Sequence, residues 1–285
     1  MARDGRVVSI LVFLFIFLLA TLSEALPQEP EQEVDEFNLS GFGQGGRKAW
    51  EISGKSADIF SDQIRLDDFV GTLYGQEKII VTAQRGDFNK VQNTIHLEND
   101  VVITTESGAK LTTDYLDWDR DISQVKTEAP VDIKKDDIVA SGVGIRGDTE
   151  LGNVDLERDA KVQINDKNNK IVITCAGPLS INYVDNIAVF NKDVFADDGE
   201  TQMCADLMEV FFNLSKSNNS TGSFAEKTGR IKRIVARGNV KIMRENNISL
   251  SDEAIYNADD KTLSLTGRPK LIIYSTEGID ASIGN

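Results

Sequence analysis

Apolar and polar residues alternate in "IKRIVARGNVKI" (231–242), and the same alternation returns at nearly constant intervals along the chain. Strict alternation describes a strand buried on one face. Its return at a fixed period describes stacked supersecondary units, not a collection of unrelated elements. Aligned on one apolar residue per unit, Val70, Val101, Val131, Val162, Val194, Val240 and Leu271 fall into line. The spacing is about 31 residues, except for 46 between Val194 and Val240. The excess coincides with "NLSKSNNSTGSFAEKTG", a Ser/Asn/Gly-rich segment with no apolar period.

Two further columns test the alignment. Two residues after the anchors stand Ile103, Ile133, Ile164, Ala196, Ile242 and Ile273, with Thr72 as the exception. Six residues before them stand Ile64, Ile95, Val125, Leu156, Ala188, Ile234 and Leu265. Even offsets put these side chains on the anchor's face of the strand. Asp100, Pro130, Lys161, Asp193, Asn239 and Lys270, one residue before an anchor, point the other way. Each unit also has an upstream arm, such as "KLTTDYLDWD" or "ISLSDEAIYNADD", separated from its partner by an Asp- or Asn-rich turn. The chain is therefore expected to be all-β, with about seven two-strand repeats. One rung per repeat, at about 4.8 Å each, makes a stack of roughly 34 Å.

The cysteines enter here. "TCAGPLSINY" and "MCADLMEVFF" align without a gap, which puts Cys175 and Cys204 at one position on neighbouring rungs. In-register neighbours lie about 5 Å apart, within reach of a disulfide. The favoured reading is two packed or edge thiols, with a bridge as the alternative.

Charge bounds the partners. A net charge of −15 and a pI near 4.6 argue against a polyanion, so no nucleic-acid partner is expected. At the N-terminus, Arg3 and Arg6 precede an uncharged apolar run over residues 7–22, followed by Ser23-Glu24-Ala25. This is either a signal peptide over 1–25 that is cleaved or a single helical anchor in the inner membrane. In both cases the rest of the chain is exported. Residues 26–46 are acidic, carry Pro27 and Pro30, and read as a flexible tether.

At "RIKRIVARGNVKI" and "ISLSDEAIYNADDKTLSLTGRPKLIIYSTEG" the chain resembles the OstA/LptA-type module of lipopolysaccharide export. Upstream, "AWEISGKSADIF" and "DYLDWDRDISQVKTEAPVDI" resemble the related LptC periplasmic module, as does the apolar N-terminus. The resemblance implies an open, twisted β-jellyroll, LptC-like over 47–168 and OstA/LptA-like over 169–285. It implies a non-enzymatic periplasmic protein that carries lipid A acyl chains in an apolar groove, and it implies no cofactor. Its partners would be lipopolysaccharide, an inner-membrane ABC transporter complex, and other β-jellyroll bridge proteins joined by end-to-end strand pairing. The groove-facing candidates are Ile95, Val101, Ile103, Val125, Val131, Ile133, Leu156, Val162, Ile164, Ile234, Val240, Ile242, Leu265 and Leu271. The residues alone leave a dry-cored structural or adhesive repeat protein open. A β-solenoid acting on polysaccharide would need carboxylates clustered on one rung face, and the acidic residues scatter instead.

Other motifs yield to plainer explanations. Gly142 to Gly147 spells G-x-G-x-x-G, but strand alternation follows where a dinucleotide site needs a helix. Asp117, Asp119, Asp121 and Glu128 approach a calcium-loop spacing, yet Ile122 stands where glycine is required. His96, the one histidine, falls on the outward parity as a solvated surface residue, and Trp50 and Trp118 are expected to cap or pack the stack.

Overall fold

The computed structural model describes residues 29–75, 77–148, 152–165, 170–212 and 231–274. The expected N-terminal helix over 7–22 and the Ser/Asn-rich segment lie outside these residues. The described chain is a single meander of antiparallel strands. Its first nine are β1 (Gln32–Phe42), β2 (Lys48–Ile59), β3 (Gln63–Tyr74), β4 (Lys78–Asn89), β5 (Thr94–Thr105), β6 (Lys110–Asp119), β7 (Gln124–Lys135), β8 (Ile138–Asp148) and β9 (Asn153–Asn165). Then come β10 (Lys170–Cys175), β11 (Leu179–Asn182), β12 (Ile187–Asp197), β13 (Thr201–Phe212), β14 (Ile231–Arg244), β15 (Asn247–Asn257), β16 (Thr262–Thr266) and β17 (Lys270–Ile272). The one helical element described is a 3-10 turn at Gln44–Gly46.

Strands pair with their neighbours in sequence except β10 with β11 and β16 with β17, and the sheet runs unbroken from β1 to β17. Two positions hold two short strands instead of one long one: β10 and β11 both lie between β9 and β12, while β16 and β17 both lie on β15. The expected all-β architecture stands, but the stack is longer than one rung per repeat allows. Both strands of every repeat are neighbours in the same sheet, giving fifteen positions. At about 4.8 Å per strand this is roughly 67 Å along the ladder, about twice the expected 34 Å.

The strands turn a corner near their middles. Consecutive residues with positive φ stand at Asn99-Asp100, Lys192-Asp193 and Gly238-Asn239, and single ones at Asp68 and Asp159. The pairing register shifts beside most of them, as expected of β-bulges. Short polar side chains and glycine tolerate this backbone region best. In β5, Ile95, Leu97, Val101 and Ile103 are all buried on both sides of the bulge. The bulge thus bends the strand and keeps both arms facing inward. β7 makes its corner differently, at Ala129-Pro130, where Thr127 Oγ1 accepts from the Ala129 N–H and the Thr113 hydroxyl donates to Pro130 O.

These corners correct two details of the alignment, and a third difference lies outside it. In β3 the buried anchor is Phe69, 2% exposed, while Val70 is 38% exposed. The bulge at Asp68 shifts the parity by one residue. In β9 the deep position is Ala160, because the bulge falls at Asp159, two residues earlier than the column predicts. The third difference concerns residues 32–42 of the expected tether. They form β1, paired with β2 along nearly its whole length, with Phe37 packed on the core.

The cysteines do not bridge. Both are free thiols, and they are not neighbours in the sheet. Phe195 of β12 faces Thr174 on one side and Cys204 on the other. β12 therefore separates the two cysteine-bearing strands by two ladder spacings, about 10 Å, beyond disulfide reach. Cys175 is also one residue out of line with Cys204, so it points to the opposite face. Burial pushes the Cys175 thiol up from its ordinary value. Alkylation near neutral pH should therefore label Cys204 well before Cys175, and mild oxidation should yield no intramolecular crosslink. Equal labelling rates measured by mass spectrometry would contradict this placement.

Gly238 has φ +75, and an added Cβ would overlap the Asp206 side chain. Gly238→Ala should cost at least about 1–2 kcal/mol from the backbone conformation alone. Urea unfolding is the check, and a change within a few tenths of a kcal/mol would show the corner to be unconstrained.

Candidate functional site

The interior is built from two inward columns, one on each arm. Near one row of turns the column runs Ile64, Phe88, Ile95, Trp118, Val125 and Gly147, each directly opposite the next across the ladder. It continues through Val154, Ile181, Ala188, Val210, Ile234 and Tyr256. On the other arm the column runs Ile52, Gly71, Val81, Ile103, Leu111, Ile133, Ala140 and Val162. It goes on through Ile173, Ala196, Met203, Ile242, Ser249 and Leu271. Because the strands are antiparallel, turns alternate between the two ends. One lip carries turns 60–62, 90–93, 120–123 and 183–186; the other carries 43–47, 75–77, 106–109 and 136–137.

The candidate groove residues fall on these columns or one step deeper, except Ile164, which lies one step nearer the lip than Val162. Ile95, Val101, Ile103, Val131, Leu156, Val240 and Ile242 are buried, and Val125, Ile133, Val162, Ile164, Ile234 and Leu265 are half-buried. Leu156 and Leu265 sit one pair deeper than the column the spacing assigned them, opposite Leu179 and Ala254 respectively. A two-residue offset preserves the face, so their inward orientation survives. Leu271 is 62% exposed, because it lies on the terminal strand with no further rung described beside it.

The buried side chains fall into two clusters. One runs from Ala57 to Leu116, the other from Val131 to Ala254, and Leu111 packs against both. In the second, Leu156, Leu179 and Met208 are fully buried. The first holds an apolar cavity of about 70 Å³. Its walls include Ile52, Leu73 and Ile79 from one arm, Trp118 and Val125 from the other, and Phe69, Leu97 and Leu116 between them. Glu51, Thr72 and Arg120 are its main polar lining residues. The cavity has room for about two waters, so an alkyl chain needs the arms to part or side chains to move.

The outer face is polar and paired. Arg237 bridges Glu209 and Glu253 on the flanking strands, and these hydrogen bonds hold its guanidinium pKa above the ordinary value. Arg85 pairs with Glu98 and Arg65 with Asp87. His96 has more company than its parity suggests. Its Nδ1 lies 2.6 Å from Asp117 Oδ1, and its ring packs 5.8 Å from Tyr115. Asp119 Oδ1 accepts from the Asp121 and Ile122 amides, so this carboxylate closes its own turn. No metal-holding group of three or more His, Cys, Asp or Glu stands among the described residues. The G-x-G-x-x-G run lies within β8, and a Cβ at Gly142 would crowd Arg158 O and Leu156, so close strand approach explains that glycine.

Sequence reasoning missed the even-numbered strands' contribution. Val81 of β4, and Leu111 and Leu116 of β6, line the interior as fully as the odd strands do, beside Trp118, which was expected to pack the stack. The alternation in "KLTTDYLDW" was the available signal. Arg120 was not found, because an arginine in a turn reads as solvated.

A family model described as "Lipopolysaccharide-assembly, LptC-related" matches residues 7–165, more than half of the chain. The chain belongs to this family. The match ends at the last residue of β9, whereas the sheet of this LptC-related protein continues through β10 and β11 without a gap in pairing. No curated protein matches the chain. Among the described residues no helix is long and apolar enough to cross a membrane.

Leu116 is 2% exposed between the two arms. Leu116→Ala should destabilise the N-terminal cluster by about 2–5 kcal/mol. Thermal or urea unfolding tests this, and a loss below about 1 kcal/mol would mean that the arms collapse freely onto the vacated space.

Proposed function

We propose that this protein is a non-enzymatic, periplasmic lipopolysaccharide-binding bridge component. Its role is to carry lipid A acyl chains in the apolar interior from an inner-membrane ABC transporter complex towards the outer membrane. The observation that carries the reading is the unbroken pair of inward apolar columns, from β2 to the last strands, in a chain of a lipopolysaccharide-assembly family. Burial of one methylene contributes about 0.8 kcal/mol, so a chain of a dozen carbons gains on the order of 10 kcal/mol in such an interior. That favours transfer from rung to rung over release into water.

In this proposal residues 47–168 are the LptC-like module and 169–285 an OstA/LptA-like continuation. Residues 7–22 hold the chain at the inner membrane, unless cleavage frees it. The open edges of β1 and of β16 and β17 pair with strands of neighbouring bridge proteins. Leu271, Ile273 and Tyr274 stand exposed at the second edge, as suits a surface that another sheet covers.

A second reading, a structural repeat protein with a dry core, draws on the tight packing around Leu156, Leu179 and Met208. Photo-cross-linking separates the two. A photoreactive residue at Val125 or Ile234, both half-buried on the inward column, should form lipopolysaccharide adducts in cells. The same residue at exposed Lys126 or Arg233 should not. Inward positions that yield protein adducts alone would favour the dry core.

A further inference from the structure

The two lips of the groove meet at one side chain. Arg120 stands in the turn between β6 and β7, and its guanidinium lies 5.9 Å from the centre of the Trp50 ring. Trp50 sits near the start of β2, beside the opposite row of turns. β2 and β6 are four positions apart in the sheet, about 19 Å measured along the ladder. The contact therefore closes across the groove and not along it. Phe88 and Trp118 complete an aromatic cage around the same guanidinium, at 5.6 and 6.0 Å.

Three observations set Arg120 apart. Arg65, Arg85, Arg146, Arg158, Arg237 and Arg244 each lie within 4.0 Å of a carboxylate. Among the described residues Arg120, like Arg47 and Arg233, has no such partner; its side chain donates to the neutral Asn93 Oδ1 at 3.2 Å. It lines the apolar cavity beneath it, together with Trp50 and Trp118. Finally, Trp118 Nε1 is buried beside it without a hydrogen-bond acceptor. A guanidinium and an indole N–H, both without an anionic partner, thus stand together over the narrow apolar cavity.

We propose that Arg120 is both latch and selector of the groove. At rest its guanidinium bridges to Trp50 and holds the lips together over the N-terminal cavity. A phosphate-bearing acylated lipid exchanges that weak contact for a stronger one. The phosphate takes the guanidinium's fork of N–H donors, the lips separate, and an acyl chain enters between Ile52 and Val125. A cation–π contact at a partly exposed site is weak, whereas an arginine–phosphate pair is charge-assisted and bidentate. The exchange therefore runs towards the phosphate. The inference rests on the lipid-carrying role proposed above and adds the point and chemistry of lateral admission.

The test compares binding of phosphorylated lipid A and chemically dephosphorylated lipid A to the full chain. The variants are Arg120→Gln and Arg120→Lys, with intrinsic fluorescence of Trp50 and Trp118 as the readout. Arg120→Gln should weaken phosphorylated lipid A by about tenfold or more and leave the dephosphorylated lipid unchanged or bound faster. Arg120→Lys should recover part of the loss, since it keeps the charge without the fork. Equal losses for both lipids would reduce Arg120 to a structural strap and overturn its selecting role. Binding of both lipids unaffected by Arg120→Gln would overturn latch and selector together, with the lipid-carrying role intact. Failure of the unmodified chain to bind either lipid would remove that role itself.

Discussion

Everything in this molecule depends on antiparallel pairing of neighbouring strands, interrupted by corners near the middles of β3, β5, β7, β9, β12 and β14. Pairing alone would give a long flat ribbon with one apolar face open to water. The corners, at Asp68, Asn99-Asp100, Asp159, Lys192-Asp193 and Gly238-Asn239, bring the two arms of that face together. Because the bulge in β5 bends the strand yet leaves Ile95, Leu97, Val101 and Ile103 all inward, each arm supplies a wall of one interior. The hydrophobic gain is made between arms, while the hydrogen bonds are made between neighbours in sequence. Stability in such a stack is a sum of rungs and nearest-neighbour interfaces.

That division explains how much was legible in the sequence. Period-two alternation reports the face of a side chain, and the recurrence near 31 residues reports the stacking, so the all-β stack and most inward residues could be read directly. The position of a bulge is another matter. It depends on one or two residues with positive φ, and Asp, Asn and Lys at such points look like any polar surface residue. The column therefore mistook Val70 for Phe69 and ran two residues late in β9, where the corner comes early. Stack length was misread for a related reason. An alternating pattern does not say whether the two strands of a repeat share a ladder or lie on opposite walls, and here they share one.

The cysteines show the same limit. Equivalent positions in successive repeats are separated by an intervening strand, so matched spacing does not mean contact. Contacts across the groove are still less accessible to pattern. Arg120 and Trp50 are 70 residues and four strands apart. Neither belongs to a motif, and they meet because the arms curl over the same interior.

The distribution of charge follows from what the interior must do in the proposed transport role. Hydrophobic attraction is non-directional and scales with area. Along columns dominated by Val, Ile, Leu and Ala, most positions are worth nearly as much as the next. An acyl chain held this way is retained strongly yet meets no deep well that would stop it. A charged side chain inside the groove would create such a well, and the described ion pairs, such as Glu209–Arg237–Glu253, stand instead on the outer face. Selection by hydrogen bonding, which is directional and therefore sticky, belongs at a lip, where a headgroup passes without entering. Arg120 occupies such a place, and a cation there can discriminate between lipids without slowing their passage along the columns.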